Sequence, residues 1–586
     1  MQDKSAVVHV WEKLEIVLRA AKQYKNPYQE VDVWVDLVGP NFSKRVFGFW
    51  DGDNTFKVRL VATEPGHWKW VSGSNQQDAG LNGFSGDFVA VEWTEDEKRE
   101  NPCRRGFIRP SENGHALEYA DGTPCFLVGD AWWAAATFRF KWYEDEKERQ
   151  IGPTMGFKDI VKFRKRQGFN AVALIAALPN WAHDGKLHFI RMNNPKKVGV
   201  RDAWRHGDTW YAKDVHNEGG RPFLFPGRVP GYEDVFPDVT KINPRYFQCL
   251  DRKIDYLNSQ GFIPFIEAAR RDCSECWKEF YDWPDTYARY IQYVFSRYQA
   301  NNCILSPIHF DWHALTIPSR EFNEPANLVI EKYGPPPFGN LVSANSSPST
   351  LINFGTPREA KWLSLHQIGN WREHDYYWHL TEIFYSEPVL PAINGEPYYP
   401  GFPDDNPPAT SEDANFNFRS SLYGGFLSGA FGGHFYGAQG LWGGDVEEGA
   451  RYKMWEALQF ESANQIKHIL AFVMVEGLRY RDLQPMADLV TPNKAGNPFG
   501  YRGWAFCART KEKDFFLVYF EKDCPPTTIR GAIPFAPYQA RWFDPRKGKW
   551  FSSDPARVEA DMIGRIKTPP FPSYGEDWGL CLTLIK

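Results

Sequence analysis

The sequence predicts a multidomain α/β plus all-β chain, a central (β/α)8 TIM barrel flanked by an N-terminal and a C-terminal β-sandwich. Three observations carry that expectation. Strand-like alternation fills the start of the chain, a helix–stop–apolar-strand rhythm fills the middle, and short strands return at the end. The 586 residues exceed what one hydrophobic core usually supports. The expected bounds are 1–97 for the first sandwich, 98–472 for the barrel and 473–586 for the second sandwich.

In the first segment Val31, Val33, Val35 and Leu37 alternate with Asp32, Trp34 and Asp36, the period of a half-buried strand. Turn signals at Gly39-Pro40, Asp51-Gly52 and Pro65-Gly66 separate further short strands over 56–62 and 67–71. In the middle, Phe247, Leu250, Ile254 and Leu257 line one helix face, Gly261 stops the helix, and the apolar run 262–266 follows. Tyr287, Ile291, Val294 and Tyr298 repeat the theme before Asn301-Asn302 and the strand 303–308. Phe157, Ile160 and Val161 do so before Gly168 and the strand from Phe169. Continuous apolar strands after stopped helices are the mark of a parallel sheet covered on both faces. The tail returns to strands over 504–508, 515–520, 540–544 and 580–585.

Composition sets limits on function. A net charge of −5 gives no electrostatic footprint for nucleic acid or an anionic membrane. No stretch approaches the roughly 20 apolar residues of a membrane span. The start, Met1 to Ala6, has no apolar signal core and reads like the mature end of a periplasmic or extracellular protein behind an added Met. Nine cysteines give no readable disulfide framework, and the lone pair Cys273/Cys276 lacks the second ligand pair that a zinc site needs. The aromatic share of 16%, with 24 Trp, suits either large cores or stacking on sugar rings.

A barrel carries its chemistry at the C-terminal ends of its strands, so polar residues directly after apolar strands are the candidates. Four places stand out. Phe126 to Trp133 ends in Asp130, Trp132 and Trp133; Cys303 to His313 carries His309, Asp311, Trp312 and His313. Pro388 to Pro397 ends in Asn394-Gly395-Glu396, and Gly432 to Gly437 carries His434 and Tyr436, with Trp442 beyond. Three acids among aromatics at one barrel mouth make a credible sugar site. Glu396 leaves a strongly apolar strand between Gly395 and Pro397, which favours catalysis over a surface role. Glu267, in the charged strand end Glu267 to Asp272, is the reserve acid. Arg270 and Arg271 suit a sulfate or uronate, or else salt bridges to Glu267 and Asp272. His183 and Asp184 follow the second strand and face either substrate or solvent, and Trp132, Trp133, Trp181, Trp312 and Trp442 suit either core or stacking platform. The spacing of His309, Asp311 and His313 suits a metal less well than a hydrogen-bonded set around an active-site acid, so no metal and no cofactor is expected. Trp133 and Trp442 are the favoured stacking platforms, and basic residues over 191–228 (Arg191, Lys196, Lys197, Arg201, Arg205) hint at an acidic substrate.

The chain also resembles a known family. Asn26-Pro27-Tyr28, Val46 to Phe49, Asp51-Gly52, Val58-Arg59 and Gly66-His67-Trp68 look like the sandwich that precedes apiosidase-like barrels. Gly129-Asp130, Asn394 to Pro397 and Phe435-Tyr436-Gly437 look like the barrel itself, and the C-terminal sandwich has a counterpart. The resemblance implies a retaining glycoside hydrolase, with Glu396 at the nucleophile position, Asp311 at the acid/base position and Asp130 on substrate hydroxyls, although the residues alone suit Asp130 equally as a loop anchor accepting backbone N–H bonds. It implies a plant or algal polysaccharide or oligosaccharide as substrate. The chain departs from the pattern at the fourth strand end, where His309-Phe310-Asp311 replaces the usual Gly-Gly-Asp. Two rivals follow from the residues. One is a carbohydrate-binding protein without turnover on the same scaffold. The other is a polysaccharide lyase, which the acid-rich strand ends disfavour.

Overall fold

The computed structural model describes residues 6–177, 216–230, 233, 236–311, 317–369, 373–496, 500–551 and 556–585. The N-terminal unit is two packed sheets. A five-stranded sheet runs in the order Ala6–His9, Ser85–Val91, Gly66–Ser74, Val33–Gly39, Phe42–Phe47, and a three-stranded sheet joins Leu14–Arg19, Thr55–Leu60 and Phe49–Gly52. Val33, Val35 and Leu37 point into the core between them with Val46, Phe56, Val58, Leu60 and Trp68, as the alternation predicts. The C-terminal unit is again all β, a seven-stranded antiparallel sheet around Phe515–Phe520 and Trp578–Leu584 with a small three-stranded partner.

Between them lies a curled parallel sheet. Its strands, numbered along the chain, are the first (Leu127–Ala131), second (Ala171–Ala177), third (Ile263–Ala269), fourth (Ile304–Ser306, resumed at His309–Phe310), fifth (Asn345–Ser346), sixth (His366–Gly369), seventh (Ala392–Glu396) and eighth (Gly433–Tyr436). Seven of them form one sheet in the order four, three, two, one, eight, seven, six. The fifth closes the ring. It pairs in parallel with His309–Phe310, and bridges at Leu305–Val342 and Ser349–Ile368 tie its surroundings to both neighbours. Helices Phe157–Arg166, Pro244–Ser259, Asp285–Tyr298, Asn323–Tyr333, Trp378–Phe384 and Glu412–Leu427 lie between successive strands. The first three bury the apolar faces read from their spacing; Phe247, Leu250, Ile254 and Leu257 are all fully buried.

The three units are packed together through buried charge. On the N-terminal side Asp251 accepts from Arg59 at 2.6 Å and from Arg297 at 2.8 Å, and Arg297 also reaches Asp51 at 2.8 Å. On the C-terminal side Arg419 grips Asp577 with two bonds of 2.9 Å, and the Tyr519 hydroxyl donates to the same carboxylate at 2.9 Å. Among the described residues no helix is long and apolar enough to cross a membrane. The helix Arg271–Phe280 carries the CxxC; Cys276 is buried in apolar packing, and the Cys273 side chain lies outside the described residues.

Candidate active site

The barrel's inner face is set by alternation. On the eighth strand Phe435 points inward, where its ring meets Phe265 of the third strand at 6.2 Å and fills the space where a Cβ on Gly129 would sit. Its neighbours His434 and Tyr436 therefore point outward, towards Phe418 of the helix Glu412–Leu427 at 5.9 and 5.2 Å. The Tyr436 hydroxyl bonds Ser462, and burial holds the His434 imidazole neutral, its pKa lowered to about 3. Neither lines the mouth, which corrects their expected contact with substrate. The first strand behaves alike. Asp130 points outward and is fully buried against Arg164 and the Trp132 indole, both at 2.7 Å. That is an internal ion pair fastening the first helix to the sheet, so the acid expected to hold sugar hydroxyls is spent on structure.

Glu396 should point outward by the same count, because Asn394, two residues earlier, packs on Gly425 of an outer helix. A bulge reverses it. Ile368 pairs with Asn394 and Gly369 with Glu396, so Gly395 is one residue extra and turns the next side chain inward. A Cβ at Gly395 would fall 2.0 Å from Gln367 Oε1, so a larger residue there would have to push the end of that side chain aside. Gly369 likewise leaves room. A Cβ there would meet Asn345 Oδ1 at 3.0 Å and Glu396 Cβ at 3.2 Å.

Inside the mouth, Asn345 Nδ2 donates to Glu396 at 3.0 Å, and the Asn345 backbone N–H donates to Glu267 at 3.0 Å. The other Glu267 oxygen bonds His309 Nδ1, and His309 Nε2 faces Asp311 at 3.5 Å. Arg271 pairs closely with Asp311 and Arg270 approaches it at 3.4 Å. Trp133 meets the His309 ring edge-on at 4.6 Å. The result is one continuous chain of polar groups from Glu396 through Asn345, Glu267 and His309 to Asp311. His309, Asp311 and Glu396 each place a donor atom within 4.8 Å of the others.

Burial pushes Glu267 well above the usual carboxylate range, with the Glu396 charge adding to it and the Asn345 N–H opposing. Burial, then Arg270 and Arg271, push His309 well below the usual imidazole range. The pair therefore reads as a protonated carboxyl donating to a neutral ring, whose Nε2–H is left facing Asp311. The three clustered ligand types could also take a cation. Two guanidinium groups already offset the carboxylate charges, which weakens the pull on a metal ion.

The comparisons with known proteins follow this geometry. A family model described as "Apiosidase-like, catalytic domain" matches residues 111–478, well over half of the chain. The chain belongs to the apiosidase-like family. By that membership it is a glycoside hydrolase. A "Domain of unknown function (DUF5060)" matches residues 7–75, and a "Putative collagen-binding domain of a collagenase" matches 501–583. No curated protein matches. Among solved structures, "a putative glycoside hydrolase from Bacteroides vulgatus" is similar with a TM-score of 0.64 and 17% identity, covering 99% of this chain and 100% of its own. A glycoside hydrolase family 5 structure from the same organism gives 0.57 and 16%, covering 82% and 94%. At such identity these two speak for the fold alone.

Within the apiosidase-like barrel, Glu396, Asp311, Glu267, His309 and Arg270 come together at the mouth, while Asp130, His434 and Tyr436 do not. Trp442 follows the eighth strand, where its carbonyl accepts from Ala134 in the loop after the first strand, at 3.3 Å. It is nearly fully buried, as is Trp133, so both serve as walls more than as open platforms. His183, His313, Trp181, Asp184 and Trp312, with the basic residues of 191–205, lie outside the described residues. Sequence reasoning overlooked Asn345 and Gly369 and did not foresee that Arg270 and Arg271 meet Asp311. The one available signal was the polar run Ser343 to Ser347, which is hard to recognise as a strand end because the strand is two residues long.

Proposed function

We propose that the chain is a retaining hydrolase of a plant or algal polysaccharide or oligosaccharide, with Glu396 as nucleophile and Asp311 as acid, then base. The observation that carries this reading is the separation of the two carboxylates. The nearest oxygens of the two lie within 4.8 Å of each other, compatible with the roughly 5–5.5 Å between the carboxyl groups of retaining enzymes. The Asn345 bond holds Glu396 in place for attack on C1.

The acid step needs a proton on Asp311, and two guanidinium groups beside a carboxylate favour its charged form. Two features of the site answer this. Protonated Glu267 and His309 form a relay: His309 passes its Nε2 proton to Asp311 and takes one from Glu267 at Nδ1. An anionic substrate group drawing Arg270 or Arg271 to itself would also leave Asp311 readier to accept that proton. A sulfated or uronate-bearing substrate suits this arrangement.

Glu396→Gln keeps the shape and one acceptor for Asn345, so the variant should fold as the parent and lose nearly all release of reducing sugar from a polysaccharide panel. Undiminished release would remove Glu396 from the mechanism. The two arginines on Asp311 also favour a second reading, a carbohydrate-binding chain without turnover. Retention of polysaccharide with no new reducing ends would select it.

A further inference from the structure

A second cleft lies away from the mouth, between the helix Trp378–Phe384 and the C-terminal sandwich. It encloses about 850 Å³, within the range of roughly 300–1,000 Å³ typical of small-ligand sites. One wall is a single helix face. Trp378, Thr381, Glu382 and Tyr385 follow one another at i, i+3, i+4 and i+7 and all line the cleft. Trp378 and Tyr385 are 53% and 56% exposed, the reverse of what a core-facing aromatic shows. At 1.5 Å per residue their seven-residue offset is about 10 Å, near the length of a disaccharide unit. Two aromatic faces with a hydroxyl and a carboxylate between them match a sugar chain, whose rings have apolar faces and hydroxyl edges.

The opposite wall supplies Asp488, Asn493, Lys494 and Trp504. Trp504 is 5% exposed, and its indole N–H has no hydrogen-bond partner among the described residues. A buried donor beside a cavity is a place where a ligand hydroxyl or a water can accept. Glu382 and Asp488 against Lys494 give no cationic excess, which disfavours nucleic acid and polyanions. A protein partner would call for a broad face of about 800 Å² rather than a half-open trough.

We propose that this cleft is a second carbohydrate-binding site, which holds a neutral stretch of the polysaccharide while another stretch occupies the mouth. The choice of ligand class rests on the glycosidase reading. The test uses Glu396→Gln, with and without Trp378→Ala/Tyr385→Ala, in affinity electrophoresis through gels containing arabinogalactan, xyloglucan or galactomannan. The expected result is retardation of the parent by at least one polymer, with apparent affinity reduced tenfold or more by the double substitution. In the chain with Glu396 intact, the double variant should keep kcat/KM on short oligosaccharides cut from that polymer and lose it on the polymer. Equal retardation with and without the two rings would overturn the cleft. Absence of retardation in a chain whose wild type releases sugar would overturn the cleft and leave the hydrolase standing. Retardation that depends on the rings without any sugar release would do the opposite.

Discussion

Glu267→Gln puts an amide nitrogen where the carboxyl group carries its proton, at the centre of the polar chain. In the folded protein one Glu267 oxygen accepts from the Asn345 N–H and the other shares a proton with His309 Nδ1. The native pair thus binds one proton, whichever partner carries it. The unfolded chain has an ordinary carboxyl, about 4.3, and an ordinary imidazole, about 6.5. Below about 4.3 the unfolded pair binds two protons, between the two values one, and above about 6.5 none. The native pair therefore adds most stability between the two values and loses it at about 1.4 kcal/mol per pH unit above pH 6.5. Two opposite signs make this window. The raised Glu267 carboxyl contributes fully below its unfolded value and loses that as pH rises. The depressed His309 imidazole gains as pH rises towards its own unfolded value, and above that value only the carboxyl's loss remains.

Glutamine satisfies the same two partners, accepting from Asn345 and donating to His309, yet binds no proton. The variant's stability should therefore stop falling above pH 6.5. Between pH 6.5 and 8.5 it should gain up to about 3 kcal/mol on the wild type, or roughly 6 °C in melting temperature at about 2 °C per kcal/mol for a large domain. Thermal melts of both chains at one scan rate, from pH 5 to 8.5, measure this. Melting temperatures that run parallel across that range would refute the protonated Glu267. So would a variant destabilised by about 3–5 kcal/mol at pH 6, the cost of breaking a buried ion pair.

Asn345→Ala removes the bond to Glu396 while keeping the backbone N–H on Glu267; kcat should fall about 10- to 100-fold, the worth of one charge-assisted hydrogen bond, with KM little changed. Steady-state rates check this, and a change under twofold would count against Asn345 as the positioning group. Asp577→Asn leaves the buried Arg419 with only the more exposed Glu412 carboxylate, at 3.1 Å, to balance its charge, and should cost about 2–3 kcal/mol. Calorimetry should then show the C-terminal sandwich melting at lower temperature, and an unchanged trace would mean that this ion pair does not fasten it.

The architecture was legible because each element announces itself locally. Strand alternation around Val33 to Leu37 and the stopped helix before Phe262 depend on side-chain periods alone. The site was legible only in part. Glu396 and Asp311 follow readable strands, but which way a side chain faces depends on register. Parity sends Asp130, His434 and Tyr436 outward, and the Gly395 bulge turns Glu396 inward. A bulge is a pairing property of two strands and leaves no mark beyond a glycine. Asn345 was missed because a two-residue strand has no period to read. The approach of Arg270 and Arg271 to Asp311 was not foreseen, because the neighbouring fourth strand brings that acid to them and sequence proximity does not show it.

The most direct measurement is the anomeric configuration of the first sugar released, followed by proton NMR before mutarotation. Double displacement by Glu396 across the short gap to Asp311 predicts the same configuration as the bond that was cut. Release of the opposite anomer would mean that a water, not Glu396, attacks C1, and would contradict the account at its centre.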